Sequence, residues 1–227
     1  MILYQPKNGY CYNSDTMFLY DFISGFNIKG KVLEVGGGCG VLGLLIKRDF
    51  PEIDLSIVEK QKIMFDFINK NLDENSLKAN VINGDFLTYE FDEKYDFVIS
   101  NPPFYQGTLK SENEIIKTAR YEESLPMKEF FKKVNGVLKE RGEFIFCYDA
   151  KRIDDIISNI PKPLKITDIR FMYPRLNKKA TLVMVRAKRH AKSMVNVHPP
   201  LIGFEGENYS KEAAEIYKKA ATKSIKI

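Results

Sequence analysis

Apolar residues in this chain fall into two alternating patterns: short continuous runs, and segments with apolar positions three or four residues apart. Val32-Leu33-Glu34-Val35 is a run that leads into a glycine cluster, and Val41 to Asp49 follows with helical spacing. Asp54 to Glu59 is the next run, then Gln61 to Leu72, where Ile63, Phe67 and Ile68 share one helical face. Asn80 to Asp85 and Tyr95 to Ser100 are the third and fourth runs. Lys128 to Lys139 is amphipathic through Phe130, Phe131, Val134, Val137 and Leu138, and Glu143 to Tyr148 is a fifth run. Short apolar, β-branched runs separated by helical segments predict βαβ units around a parallel sheet.

The end of the pattern differs. Ile166 to Tyr173 and Ala180 to Val185 are two further strands, and the connection at Pro174 to Asn177 is too short for a crossover helix. They are expected to pair as an antiparallel hairpin added to the sheet, giving seven strands, mostly parallel. Residues 1–30 are expected to form an N-terminal extension, a lid segment with one helix from Asp15 to Ile23 capped by Asn13 or Ser14. Residues 31–192 form the expected main domain and residues 193–227 a tail with a short helix. The segment Tyr105 to Arg120 has little pattern, and loops of that length often serve as lids.

The chain has 227 residues, of which 44% are hydrophobic, enough for a sizeable core. No run approaches the roughly 20 apolar residues of a membrane span, and the N-terminus lacks the order of a signal peptide. Three widely spaced cysteines, Cys11, Cys39 and Cys147, are expected to be free thiols in a reducing, cytoplasmic setting. With only His190 and His198 as imidazoles and no C-x-x-C spacing, no metal site is expected. The net charge of +5 is uneven. Residues 1–100 carry 10 Lys/Arg against 15 Asp/Glu, whereas residues 101–227 carry 25 against 15. Arg170 to Lys192 holds eight Lys/Arg and no acidic residue, which points either to a solvated face or to a polyanionic partner.

Candidate chemistry lies at the ends of the predicted parallel strands, where open α/β sheets bind ligands. Gly36, Gly38 and Gly40 follow the first strand, and Gly38 begins a G-x-G-x-x-G match. That match taken alone would allow a nicotinamide dehydrogenase. Glu34, just before the glycines, disfavours a pyrophosphate and would hold an ammonium or a water network. Glu59 ends the second strand, where a carboxylate accepts ribose hydroxyls. Asp85 and Phe86 end the third and would bond to and pack on a base. Asn101-Pro102-Pro103-Phe104 ends the fourth. Two prolines remove two backbone donors and fix two φ angles, so carbonyl acceptors stand beside an amide and an aromatic ring. Each feature also has a plain reading: a strand–helix turn, a surface carboxylate, a helix cap, a strand ending.

Taken together and in this order, Glu34 to Gly40, Glu59, Asp85 and Asn101 to Phe104 resemble class I S-adenosylmethionine-dependent methyltransferases of the Asn-Pro-Pro-(Tyr/Phe) type. The resemblance covers about residues 3–205. It implies a Rossmann-like sheet with S-adenosylmethionine held by Glu34, Gly36, Gly38, Gly40, Glu59, Asp85, Phe86 and Asn101, and S-adenosylhomocysteine as product. Asn101 and Pro102 would accept the protons of an amine on a planar group, and Phe104 would stack on it. Gln5 to Thr16 and Ala119 to Ser124 are similar to segments of bacterial tRNA(Val) adenine-N6 methyltransferases, as are His198 to Leu201 and Asn208 to Ser210. This implies methylation of the adenosine 3′ of a valine anticodon, with Tyr10, Asp15 and Arg120 at the tRNA. In the basic span, Arg186, Lys188 and Arg189 are expected to contact tRNA phosphates, and a monomer is expected. Phe104 stands where many relatives have tyrosine, and Tyr121 where many have histidine. The related alternatives are ribosomal-RNA guanine-N2 and protein-glutamine methylation.

Overall fold

Burial on both faces of the central strands sets the layers. The computed structural model describes residues 1–7, 11–104 and 122–227. Its main sheet is built from β2 (Lys31–Val35), β3 (Asp54–Glu59), β4 (Asn80–Asn83), β5 (Tyr95–Ser100), β6 (Leu138–Asp149), β7 (Leu164–Tyr173) and β8 (Leu182–Arg189). Two short pieces, β9 (Asn196–Val197) and β10 (Leu201–Ile202), pair with β7. The order is β4-β3-β2-β5-β6-β8-β7, and β8 is the one strand that runs against its neighbours in this sheet. The predicted hairpin is thus present, with its second strand inserted between β6 and β7. Its ends shift to Leu164 and Arg189, because Ala187 and Lys188 continue the ladder against Phe144 and Glu143 of β6 and Ala187 to Arg189 against Ile166 to Leu164 of β7.

The helices lie where apolar spacing places them. α2 (Val41–Asp49) and α3 (Lys62–Glu74) cross between β2, β3 and β4, and α4 (Met127–Val137) precedes β6. α4 buries Phe130, Phe131 and Val134 against Phe144 and Phe146 of β6, with ring centroids 5.1–5.5 Å apart between helix and strand. A fully buried phenylalanine side chain contributes about 2–3 kcal/mol, so this cluster fastens the centre of the sheet. The third predicted strand stops two residues early. The Asn83 side chain and the Gly84 N–H turn back onto the Glu59 carbonyl, at 3.0 Å each, and end β4.

Before the sheet come β1 (Ile2–Gln5) and α1 (Ser14–Ser24), the latter capped by Asn13, whose side chain accepts from Asp15 N–H. After it come α5 (Ile153–Asn159), the hairpin β11 (Phe204–Glu205) and β12 (Asn208–Tyr209), α6 (Lys211–Ala220) and β13 (Lys223–Lys226). β1 and β13 pair in parallel, so the two terminal segments hold one another. On the other edge of β1, Asn71 of α3 and Asn75, the residue capping its end, stand in for a strand. Asn71 accepts from Tyr4 N–H (2.7 Å) and donates to Tyr4 C=O (3.0 Å), and Asn75 does the same for Ile2 (3.0 and 2.7 Å). No described helix is long and apolar enough to cross a membrane.

A polar cluster ties β9 to the sheet. Asp168 accepts from His198 (2.9 Å) and Arg186 (3.3 Å), Arg186 also reaches Glu143 (2.7 Å), and its guanidinium lies 4.3 Å from the Phe26 ring centroid. Asp168→Ala leaves Arg186 and His198 short of a buried acceptor and is expected to cost about 2–3 kcal/mol, read as a lower unfolding midpoint in urea. An unchanged midpoint would remove the cluster from the stability account.

Candidate active site

The cleft opens at the carboxyl ends of β2, β3, β4 and β5. A cavity of about 650 Å³, counting its open mouth, is lined by Gly36, Gly38, Glu59, Lys60, Gln61, Met64, Asp85, Phe86, Asn101, Pro103, Ser124 and Leu125, among others. A smaller one of about 360 Å³ lies on the other side of the glycine loop, against Tyr12, Thr16, Glu34 and Cys39. Gly36, Gly38 and Asn101 border both. Ligand sites of this size suit a nucleoside-sized molecule.

Glu59 shapes the loop. Its carboxylate accepts from Gly38 N–H and Gln61 N–H, both at 2.8 Å, and burial pushes its pKa up against those two bonds and that of Lys60 N–H. Gly36 and Gly38 adopt φ of +72° and +55°, and a Cβ on either would meet nothing within 4 Å. The backbone there faces open space, so these glycines are positioned for close approach of a ligand, not for packing. Gly40 differs. It is the N-cap of α2, and a Cβ would press on Leu44 at 2.9 Å.

Gly40 offers α2 no capping side chain, and Glu34 supplies the missing acceptor. Its carboxylate accepts from Gly43 N–H at 3.0 Å, at the third residue of the helix, where an anion is favoured. Burial outweighs that bond and, with Glu59 nearby, pushes the Glu34 pKa up to about 8. Asp85 accepts from Leu87 N–H (2.9 Å) and pairs with Lys60 (2.8 Å) at the cleft mouth. Partial burial would raise the Asp85 pKa, but Lys60 and the Leu87 N–H bring it below the usual range. Phe86 forms an apolar wall, held edge-on to Phe130 at 5.8 Å.

Asn101 leaves the end of β5 where the two cavities meet. Its Nδ2 donates to Thr16 Oγ1 of α1 at 3.0 Å, and its Oδ1 accepts from the buried Cys147 thiol of β6 at 3.1 Å. Pro102 is buried, and Pro103 rather than Pro102 lines the cleft. Phe104 is buried against Tyr148, with ring centroids 5.3 Å apart.

Not every predicted residue comes to the cleft. Tyr10 and Arg120, and the Tyr105 to Arg120 lid, lie outside the described residues. Asp15 sits in the first turn of α1 beside Thr16, bonded to Asn13 at 2.8 Å, its pKa raised by burial. Arg186, Lys188 and Arg189 belong elsewhere. β8 runs antiparallel, so these residues lie level with Glu143 and Leu164, at the end of the sheet away from the cleft. They are also engaged: Arg186 with Glu143 and Asp168, Lys188 with Glu143 (2.9 Å), and Arg189 with the Leu138 carbonyl (2.9 Å). Charge counting along the chain could not register that pairing. Sequence reasoning also passed over Lys60, Gln61 and Met64, which follow Glu59 directly, and Cys147, which nothing in its own neighbourhood marks.

A parallel sheet with one reversed strand, open glycines after β2, a buried carboxylate after β3 and an Asn-Pro-Pro turn after β5 define a class I methyltransferase architecture. The methyltransferase small domain family model matches residues 14–160, and the chain belongs to that family. Its cofactor is S-adenosylmethionine, and the open glycine cradle with the Glu59 carboxylate at a strand end fits it. The chain is 34% identical over 97 residues to the ribosomal RNA small subunit methyltransferase C of Pasteurella multocida and to that of Haemophilus influenzae, covering 41% of this chain and 29% of each relative. It thus spans under a third of the length of these relatives. Among solved structures, a predicted O-methyltransferase from Agrobacterium tumefaciens superposes with TM-score 0.71 at 15% identity, over 94% of this chain and 100% of that one. The Thermus thermophilus 16S rRNA N2 G1207 methyltransferase, solved with AdoMet and guanosine, gives 0.58 at 18%, over 81% of this chain and 45% of that one.

Two outcomes test the site. Gly38→Ala puts a methyl group into the cradle at a left-handed φ. It is expected to weaken S-adenosylhomocysteine binding by at least about tenfold in calorimetry while costing about 1 kcal/mol of stability; equal binding would place the ligand elsewhere. Glu34 holds its proton in the folded state up to about pH 8, against an ordinary value of 4.5. Between those values only the folded chain keeps that proton, so stability falls as pH rises through the window. In urea unfolding at pH 5, 6.5 and 8, Glu34→Gln should lose this part of the decline; parallel curves for the two proteins would contradict it.

Proposed function

We propose that this chain methylates the exocyclic amine of a purine in RNA: the curated relatives point to small-subunit ribosomal RNA and the similar Thermus thermophilus enzyme to guanine N2. The observation that carries the amine chemistry is Asn101. It emerges at the end of β5, borders both cavities, and is followed by two prolines that present carbonyls without competing N–H groups. The relatives supply the nucleic acid class; the turn supplies the reaction type.

When bound, S-adenosylmethionine supplies an electrophilic methyl group on a sulfonium. Glu59 and Asp85 would hold its ribose and adenine edges, with Met64, Phe86 and Leu125 as apolar walls and the Gly36–Gly38 backbone along its amino-acid part. An exocyclic amine is a weak nucleophile because its lone pair is delocalised into the ring. Asn101 Oδ1 and a carbonyl of the Pro102–Pro103 turn would accept its two protons and favour the pyramidal nitrogen of the transition state. Phe104, buried against Tyr148, would lie behind the base. No strong general base is needed, since an alkylated aminium loses its proton readily.

A second reading, adenine N6 in tRNA, is kept for one reason. Tyr12 and Thr16, within the segment that resembles the tRNA enzymes, line the smaller cavity beside Asn101. Incubation with labelled S-adenosylmethionine and either small-subunit ribosomal RNA or total tRNA, followed by nucleoside digestion, separates the two. N2-methylguanosine is expected from the first, and N6-methyladenosine from tRNA would transfer the assignment. Asn101→Ala is expected to lower transfer by about 10²–10³-fold with S-adenosylhomocysteine affinity within a few-fold. Label on protein would overturn the RNA reading, and normal turnover by that variant would overturn the amine clamp.

A further inference from the structure

An amide side chain has two donors and two acceptor lone pairs, and the structure commits one of each on Asn101. Thr16 takes one Nδ2 proton at 3.0 Å and Cys147 gives its thiol proton to Oδ1 at 3.1 Å. These partners come from separate parts of the chain. Thr16 lies in the first turn of α1, in the segment preceding the sheet, and Cys147 lies on β6, one residue beyond the Ser100–Phe146 pair. Side chains alternate along a strand. Phe144 and Phe146 face α4, so Cys147 faces the other way, toward α1 and Asn101. Both partners are buried, and burial keeps the Cys147 thiol protonated, hence a donor, throughout the working pH range.

We propose that Thr16 and Cys147 are positioning residues that bracket the Asn101 amide from opposite sides, leaving one lone pair and one N–H that no other described residue takes up, available to the ligands in the cleft. Neither residue needs to touch the reacting atoms. Their effect is on the direction of the Asn101 acceptor, and a displacement of about 1 Å costs on the order of 10²-fold in rate. The arrangement also makes α1 part of the catalytic geometry: without its first turn, Asn101 loses a partner that the sheet does not provide. This inference rests on the amine-clamp reading of Asn101.

The test uses Thr16→Val and Cys147→Ala, which remove each partner, and Thr16→Ser and Cys147→Ser, the first keeping the hydroxyl and the second replacing the thiol donor with a hydroxyl donor. Thr16→Val and Cys147→Ala are expected to lower kcat by about 10–100-fold, with RNA KM and S-adenosylhomocysteine Kd within twofold, and the serine variants should restore most of it. The second readout needs no substrate. In 15N-edited spectra the Asn101 side-chain NH2 pair, assigned by its loss in Asn101→Ala, should shift in Thr16→Val and Cys147→Ala and return toward its original position with serine. Wild-type kcat in the two removal variants, or serine variants as poor as those they should rescue, would overturn the proposal. If the wild-type protein methylates no RNA, the function reading fails; an unmoved NH2 pair would separately refute the bracketing.

Discussion

A parallel sheet leaves the backbone at its carboxyl edge without ladder partners, and buried side chains supply them here. The Ser100 hydroxyl donates to the Val35 carbonyl (2.8 Å), Asn71 donates to the Cys39 carbonyl (2.9 Å), Glu59 accepts from Gly38 and Gln61, and Glu34 accepts from Gly43. Unsatisfied buried backbone groups cost about 1–3 kcal/mol each, so the glycine loop has its shape only while these four residues hold it. The site is a by-product of that satisfaction. The same carboxylates and amides that complete the strand ends also border the cleft.

Two of these residues link distant parts of the chain. Asn71 bonds to β1 and to the glycine loop at once, so pairing of the terminal segments is communicated to the cofactor side. Asn101 does the equivalent for α1 and β6. The segments before and after the sheet therefore reach the site through single amides, while the apolar face of α1 (Met17, Phe18, Leu19, Phe22, Ile23) anchors them in the core. Amides suit this because they donate and accept together.

Electrostatics separates the two ends of the sheet. At the carboxyl end, buried Glu34 and Glu59 resist ionisation, and burial is the dominant cause for both. At the amino end, Glu143 and Asp168 are matched by Arg186, Lys188 and His198, and the Asp168 pKa, which burial alone would raise, is lowered by His198 and Arg186. Part of the basic span is spent on ion pairs of this kind, Arg186 and Lys188 in that match and Arg170 with Asp21 and Glu212. Its charge holds the hairpin and the tail to the sheet.

Local pattern determined a good deal. The bounds of β3, β5 and α2, the order of strand ends carrying Glu59, Asp85 and Asn101, and the open role of Gly36 and Gly38 all follow from short-range periodicity and turn chemistry. These properties are written in adjacent residues, which is why they can be read one segment at a time. Tertiary structure decided the rest. Which end of the sheet Arg186, Lys188 and Arg189 occupy depends on the direction of β8, and that is set by its neighbours β6 and β7. Whether Glu34 faces a ligand or caps α2 depends on how the helix packs over β2. The partnership of Cys147 with Asn101 joins residues 46 apart in sequence, and no local signal foretells a contact made only when two strands lie side by side.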